Sequence, residues 1–142
     1  MKNADCTLLC VGPQRVADIL HHVRPLLESA ARRSRETSVE AIEQDLAAGR
    51  ALLWIAWGAE RRIVAVLVTQ LVRTAAGLIC VLVSCAGDEH QRWVGLLRDI
   101  ERYAADEECV AMRIYGRKGW ARVLKDYRAA RVILEKSLPT PA

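Results

Sequence analysis

The chain has 142 residues, enough for a single domain of ordinary size. Hydrophobic residues make up 52% of it and charged residues 27%, and its mean hydropathy of +0.07 excludes a disordered chain and predicts a packed core. The longest uncharged stretch, residues 74–87, has 14 residues, fewer than the ~18 that a membrane-spanning helix needs. We therefore expect one domain over residues 1–142, with a short proline-containing tail at 139–142 and no membrane span.

The charge is mildly basic and unevenly distributed. The net charge is +4, and 17 of the 21 basic residues are arginine, which suits forked pairing with carboxylates or phosphates. Residues 88–108 hold seven acidic residues against three arginines, whereas residues 113–136 hold eight basic residues against two acidic ones. This separation fits self-association or nucleic-acid contact, and it equally fits two solvated faces of one domain.

The five cysteines do not suggest a metal site. Their number is odd, no C-x-x-C motif is present, and the three histidines do not pair with cysteines at zinc-binding spacing. Cys80 lies inside an apolar run, and Cys10 and Cys109 border similar runs. We expect buried free thiols in a reducing compartment and no bound metal.

In chain order, a strand is predicted first and two helices follow. Residues 7–11 form a short apolar run closed by Gly-Pro, and apolar residues recur at helical spacing over 14–33, where Pro25 should kink or split the helix. A second helix should open with a capping box at residues 37–40 and end at Gly49.

The middle of the chain predicts an antiparallel meander of three strands. These runs are rich in Val, Ile, Leu and Trp and are joined by hairpin-length connections; they cover residues 51–57, 63–72 and 78–85. Residues 89–107 return to a helical period, and residues 109–115 alternate as a strand, which makes the step into this strand a parallel crossover.

A short helix over 117–125 and a last strand over 130–138 complete the predicted order, β-α-α-β-β-β-α-β-α-β. The predicted class is α/β (α+β), with a mixed, largely antiparallel central sheet and helices on both of its faces.

This order of elements resembles the GNAT N-acetyltransferase superfamily over nearly the whole chain. The C-terminal part is also similar to small GNAT-like proteins encoded by bacteriophages. In those proteins a G-R-x-G-W-x-R-x-L stretch, here residues 116–124, precedes a tyrosine, here Tyr127, and a closing V-x-L-x-K strand, here residues 132–136. The junction at residues 49–54, Gly-Arg-Ala-Leu-Leu-Trp, is similar to theirs as well. The resemblance implies a GNAT-like fold.

In active GNAT enzymes the loop after the fourth strand holds the pyrophosphate of coenzyme A on glycine backbone at a helix N-terminus. The resemblance implies these cofactor contacts if acetyl-CoA binds: Val83, Ser84, Cys85, Gly87 and Arg92. However, Asp88 and Glu89 stand where the phosphate oxygens should lie. At ~5 Å and an effective dielectric of ~20, each carboxylate repels a phosphate charge by about 3 kcal/mol. A helix terminus returns only ~0.3–1 kcal/mol, so repulsion should dominate.

The acid and base of an acetyltransferase are also hard to find in the sequence. Many GNAT enzymes place a tyrosine on the last helix to protonate the coenzyme thiolate, and here Leu124 or a neighbour occupies that position. Tyr115 and Tyr127 flank this helix and are the catalytic candidates if the protein is active. The predicted central strands contain no Glu or His that could act as a general base.

A further set of aromatic and arginine side chains is typical of interaction surfaces. Trp54 and Trp57 are three residues apart on their strand, so their side chains point to opposite faces of the sheet. We expect Trp54 to lie in the core and Trp57 to lie at an interface. The predicted interaction residues are Trp57, Arg117, Trp120, Arg122 and Arg128.

The leading hypothesis from the sequence is a non-catalytic, phage-type GNAT-fold protein that acts as a structural or assembly component of the phage particle. Under this hypothesis we expect that no cofactor is bound and that the partners are phage structural proteins or further copies of the chain. The protein would be located in the cytoplasm of a bacterial host, with the virion as a further location. The alternative is an acetyl-CoA-dependent N-acetyltransferase with an atypical pyrophosphate loop. A weaker alternative is a nucleic-acid-binding accessory factor.

Overall fold

A computed structural model describes residues 6–87, 94–115 and 120–141. The strands in these ranges are β1 (Thr7–Val11), β2 (Leu52–Trp57), β3 (Ile63–Thr74), β4 (Gly77–Gly87) and β5 (Ala111–Ile114). The α-helices are α1 (Val16–Ser34), α2 (Val39–Ala47), α3 (Leu97–Asp106) and α4 (Trp120–Val123). Single 3-10 turns occur at Pro13–Arg15, Ala59–Arg61 and Val94–Leu96.

The five strands form one mixed sheet in chain order. β1 to β4 are successive antiparallel neighbours, and β5 pairs with β4 in parallel after the crossover through α3. The predicted meander and the predicted parallel crossover are therefore confirmed, as is the predicted mixed, largely antiparallel sheet.

Two hydrophobic cores cover the two faces of the sheet. Alternation along β2 separates them, because successive side chains of a strand point to opposite faces. Leu53 and Ile55 pack with α1 and α2 in what we call the α1-side core. Trp54 packs on the opposite face with Ile100 of α3, in the α3-side core, and its Nε1 donates to Thr69 Oγ1 at 2.9 Å. Helices on both faces and Trp54 in the core are thus confirmed.

Two details of the first helices differ from the prediction. α1 continues through Pro25 as one helix, because Val23 and Leu27 on either side of it are fully buried against the sheet. Burial stabilises each such side chain by about 1.5–3 kcal/mol, which offsets the cost of about 3 kcal/mol for an interior proline. α2 is capped by Ser38, whose Oγ accepts from the Ala41 backbone N–H at 3.1 Å, so the predicted capping box at residues 37–40 is wrong by one residue.

The predicted last strand is wrong. Residues 128–141 have no regular secondary structure, and every one of them is exposed. A strand exists only where a neighbouring edge takes up its backbone hydrogen bonds, and no described strand lies alongside this segment. The predicted helix over 117–125 ends two residues early, because its described part covers Trp120–Val123; residues 117–119, and Arg117 with them, lie outside the described residues.

The cysteines are free thiols in several environments. Cys6 and Cys80 are buried, Cys85 and Cys109 are half-buried, and Cys10 is exposed, so the expectation of a buried thiol is wrong for Cys10. Within the described ranges, no three potential metal ligands lie close enough together to hold an ion. None of the helices in those ranges combines the length and apolar character needed to cross a bilayer.

Candidate active site

The pairing of β4 with β5 ends before β4 does. Ile79–Leu82 of β4 pair with Ala111–Ile114 of β5. β4 then continues to Gly87 alongside β3. Val83 is the first residue beyond the pairing, and it is the extra residue of a β-bulge opposite the step from Val68 to Thr69. A bulge of this kind bends and twists its strand. We call the edge of β4 beyond this pairing, together with the end of β5 beside it, the opening between β4 and β5.

One edge of β4 is left without a strand neighbour along this opening. Residues 84–87 pair with β3 on one side, Val83 is the bulged residue, and no strand in the described residues pairs with the other side of residues 83–87. The N–H and C=O groups of such an edge can bind an extended chain that carries amides, as sheet edges bind peptides. An amide-bearing arm such as that of acetyl-CoA has groups that can pair with this edge. Val83, Ser84 and Cys85 lie on the edge, and their contact with the cofactor stays a prediction.

Gly87 has a structural role at the end of this edge. A Cβ on Gly87 would lie 2.4 Å from the Val64 carbonyl oxygen and 2.5 Å from the Ala65 Cβ, closer than real Cβ atoms come. The absence of a side chain is therefore needed for packing between β4 and β3. Asp88, Glu89 and Arg92 lie outside the described residues, so the predicted pyrophosphate contact and the predicted repulsion stay predictions.

Cys85 is not set up to act as a nucleophile at this opening. The side chain is half-buried and packs against the α3-side core. Burial raises its pKa to about 12, and the nearby positive charge of Arg33 acts in the opposite direction but is the smaller effect. The thiolate is the nucleophilic form, so a raised pKa disfavours Cys85 as a nucleophile at neutral pH.

The two candidate tyrosines occupy different positions. Tyr115 follows β5 directly, where the pairing of β4 with β5 ends, and its side chain is 66% exposed. The half-buried Tyr127 donates its hydroxyl hydrogen to Glu101 Oε2 of α3 at 2.6 Å. Burial first, and then the carboxylate of Glu101, raise the pKa of Tyr127 above its usual value. Tyr115 is therefore the more accessible of the two at the end of the β4–β5 pairing, and a catalytic role for either tyrosine stays a prediction.

Leu124 and Glu101 complete the surroundings of Tyr127. Leu124 is 7% exposed in the α3-side core, so the position that the resemblance gave to an acid holds an apolar side chain. Glu101 is not among the predicted site residues, because nothing in the sequence connects it with a tyrosine 26 residues further on. Its only sequence signal is its place beside the buried Ile100 on α3.

The predicted interaction residues do not form one patch in the described structure. Trp57 is half-buried against the α1-side core, and Trp120 is half-buried against the α3-side core on the other face of the sheet. Arg122 and Arg128 are exposed, and Arg117 lies outside the described residues. Their role in contacts with a partner stays a prediction.

Several solved structures share this arrangement of elements. A probable acetyltransferase matches with a TM-score of 0.69 and 14% identity over 96% of this chain and 99% of its own. A predicted acetyltransferase from Clostridium acetobutylicum, crystallised with acetyl-CoA, matches with a TM-score of 0.63 and 15% identity over 93% and 96%. The chain has the fold of these acetyltransferases.

A third neighbour is an aminoglycoside acetyltransferase from an uncultured soil metagenomic sample, solved in complex with sisomicin; it matches with a TM-score of 0.66 and 14% identity over 94% of this chain and 97% of its own. No family model and no curated protein matches the sequence. The neighbours contradict the leading hypothesis of a non-catalytic phage structural protein, and they favour the acetyltransferase alternative. They give no support to the narrower resemblance to phage-encoded proteins.

Proposed function

We propose that this protein is an acetyl-CoA-dependent N-acetyltransferase. The observation that carries the proposal is the end of the β4–β5 pairing at Leu82 and Ile114, which leaves the edge of residues 83–87 without a strand neighbour on that side in the described structure. The neighbours support the proposal, because their names describe acetyltransferases and one of them was crystallised with acetyl-CoA.

The residues around the opening would have different roles in such a transfer. Bound acetyl-CoA would supply the acetyl group as a thioester to an amine. The open edge of β4 would bind and orient its amide-bearing arm, and Tyr115 would hold a proton at its Oη for the departing sulfur. β2, β3 and β4 contain no Glu or His, so the proton of the attacking amine would pass to water.

Exchanging each tyrosine for phenylalanine tests this assignment. A general acid typically contributes ~10²–10⁴-fold to a rate, and a thiolate is a good leaving group, so Tyr115→Phe should lower kcat by about 10²-fold. KM for acetyl-CoA should change little. Tyr127→Phe is the matched control, because it removes the hydrogen bond to Glu101 and should lower the melting temperature while kcat stays within a few-fold.

The assay should follow the acetylated amine by mass spectrometry, because thiol reagents would also react with the exposed Cys10. The amines should include peptide N-termini, a polyamine and an aminoglycoside. If Tyr115→Phe retains the wild-type kcat, the acid role of Tyr115 is wrong. If the wild-type protein acetylates none of these amines and does not hydrolyse acetyl-CoA, the proposed activity itself is contradicted.

A further inference from the structure

The C-terminal segment, residues 130–138, is apolar and uncovered. Residues 128–141 are exposed throughout, and no hydrogen bond or ion pair joins them to the rest of the described chain. The four large apolar side chains of the segment are exposed by 68% to 91%; they are Val132, Ile133, Leu134 and Leu138. So much exposed apolar surface in nine residues marks a site of contact rather than a solvated tail.

The outer edge of β5 is a second uncovered feature. β5 is the last strand in the order of the described sheet, so only β4 pairs with it. Val110 and Tyr115 flank it and are 62% and 66% exposed. Six of the eight exposed large hydrophobic side chains in the described residues thus lie in the C-terminal segment or beside β5. An open strand edge next to exposed apolar groups is a template for another strand.

The C-terminal segment and the β5 edge match each other. Met112 and Ile114 of β5 both face the α3-side core, two residues apart. Val132 and Leu134 have the same spacing, so pairing in either direction aligns the two apolar rows.

The C-terminal segment and the surroundings of the β5 edge also carry opposite charges. The acidic residues 106–108 come just before β5, whereas Arg128, Arg131 and Lys136 lie in or next to the segment. All six of these side chains belong to exposed residues. This arrangement favours approach of the segment to the β5 edge over approach to a neutral edge.

We propose that two copies of this chain exchange the segment. Residues 130–138 of each copy then pair with the β5 edge of the other copy. A two-fold axis makes both contacts at once and leaves neither an open edge nor an uncovered segment. Within one copy both features are unpaired in the described structure: residues 128–141 are exposed throughout, and β4 is the only described strand that pairs with β5. The exchange is independent of the proposed activity.

Light scattering coupled to size-exclusion chromatography tests the exchange on the full-length protein. The wild type should have twice the chain mass of 15.8 kDa. Leu134→Glu should give a monomer with an unchanged circular dichroism spectrum, because Leu134 is 91% exposed within one copy. Leu9→Glu is the matched control: Leu9 is 51% exposed on β1, at the opposite edge of the sheet, and this variant should stay dimeric.

A monomeric wild type, or a dimeric Leu134→Glu variant, would overturn the exchange. Hydrogen exchange adds a second readout that does not depend on a variant. The amides of residues 131–136 should be protected in the dimer and should lose protection when dilution separates the copies. Protection that persists in the monomer would mean that the segment folds onto β5 of its own chain, and the exchange would then be wrong.

Discussion

At the scale of single residues, Gly87 determines how closely β4 can approach β3. Gly87→Ala would place a Cβ against the Val64 carbonyl and the Ala65 side chain, and overpacking of this kind costs about 1–3 kcal/mol in the free energy of unfolding. Urea denaturation should show this loss. Gly95→Ala is the control, because a Cβ there meets nothing within 4 Å and should change the free energy of unfolding by less than about 0.5 kcal/mol. Equal effects of the two variants would show that the close approach of β4 and β3 is not maintained in solution.

The residues of the site differ in how far the sequence can predict them. Val83, Ser84 and Cys85 could be placed from the resemblance, because chain order assigns them to the end of the fourth strand. The β-bulge that opens this edge could not be predicted, since Val83 is one more apolar residue in an apolar run. The contact between Tyr127 and Glu101 depends on how α3 and the chain after α4 pack together, which no local pattern encodes.

At the scale of elements, the turn between β2 and β3 is strained. Glu60 and Arg61 both have positive φ, 61° and 58°, a conformation that favours Asn and Gly in a two-residue hairpin turn. The double substitution Glu60→Asn, Arg61→Gly should therefore raise the free energy of unfolding by about 1 kcal/mol or more, measured by urea denaturation.

Glu60→Ala, Arg61→Ala is its control, because it removes the same charges but keeps a Cβ at both positions. This control should give no gain in stability. If the two double variants are equally stable, strain in the turn is not the cause.

Elements with internal signals could be predicted and those that depend on a partner could not. The runs of β2, β3 and β4 carry both an apolar pattern and turn residues at their ends, so their order and pairing follow from the sequence. The segment at residues 130–138 has the same apolar pattern, yet it forms no strand in the described structure. A strand also needs a partner strand, and within one copy the segment pairs with none, although the outer edge of β5 is open. Pro25 shows the converse, since tertiary packing keeps α1 intact where local propensity predicts a break.

At the scale of the whole molecule, the fold locates the site but does not specify the acceptor. Two helical layers enclose one sheet, and the opening lies where the only parallel strand pair of the described sheet ends. Ligands of open sheets commonly bind beyond the carboxyl ends of such strands. The chemistry then depends on the side chains at this place, because one fold can carry many different functions.

The most direct test of the proposed function is a thermal melt of the purified protein with and without millimolar acetyl-CoA. A ligand present at ~100 times its Kd adds about 2.7 kcal/mol, which should raise Tm by several degrees for a domain of this size. ATP at the same concentration is the control for a nonspecific effect of phosphate charge, and it should leave Tm unchanged. We predict a rise with acetyl-CoA alone. No rise with acetyl-CoA, or an equal rise with ATP, would contradict acetyl-CoA binding at the opening between β4 and β5.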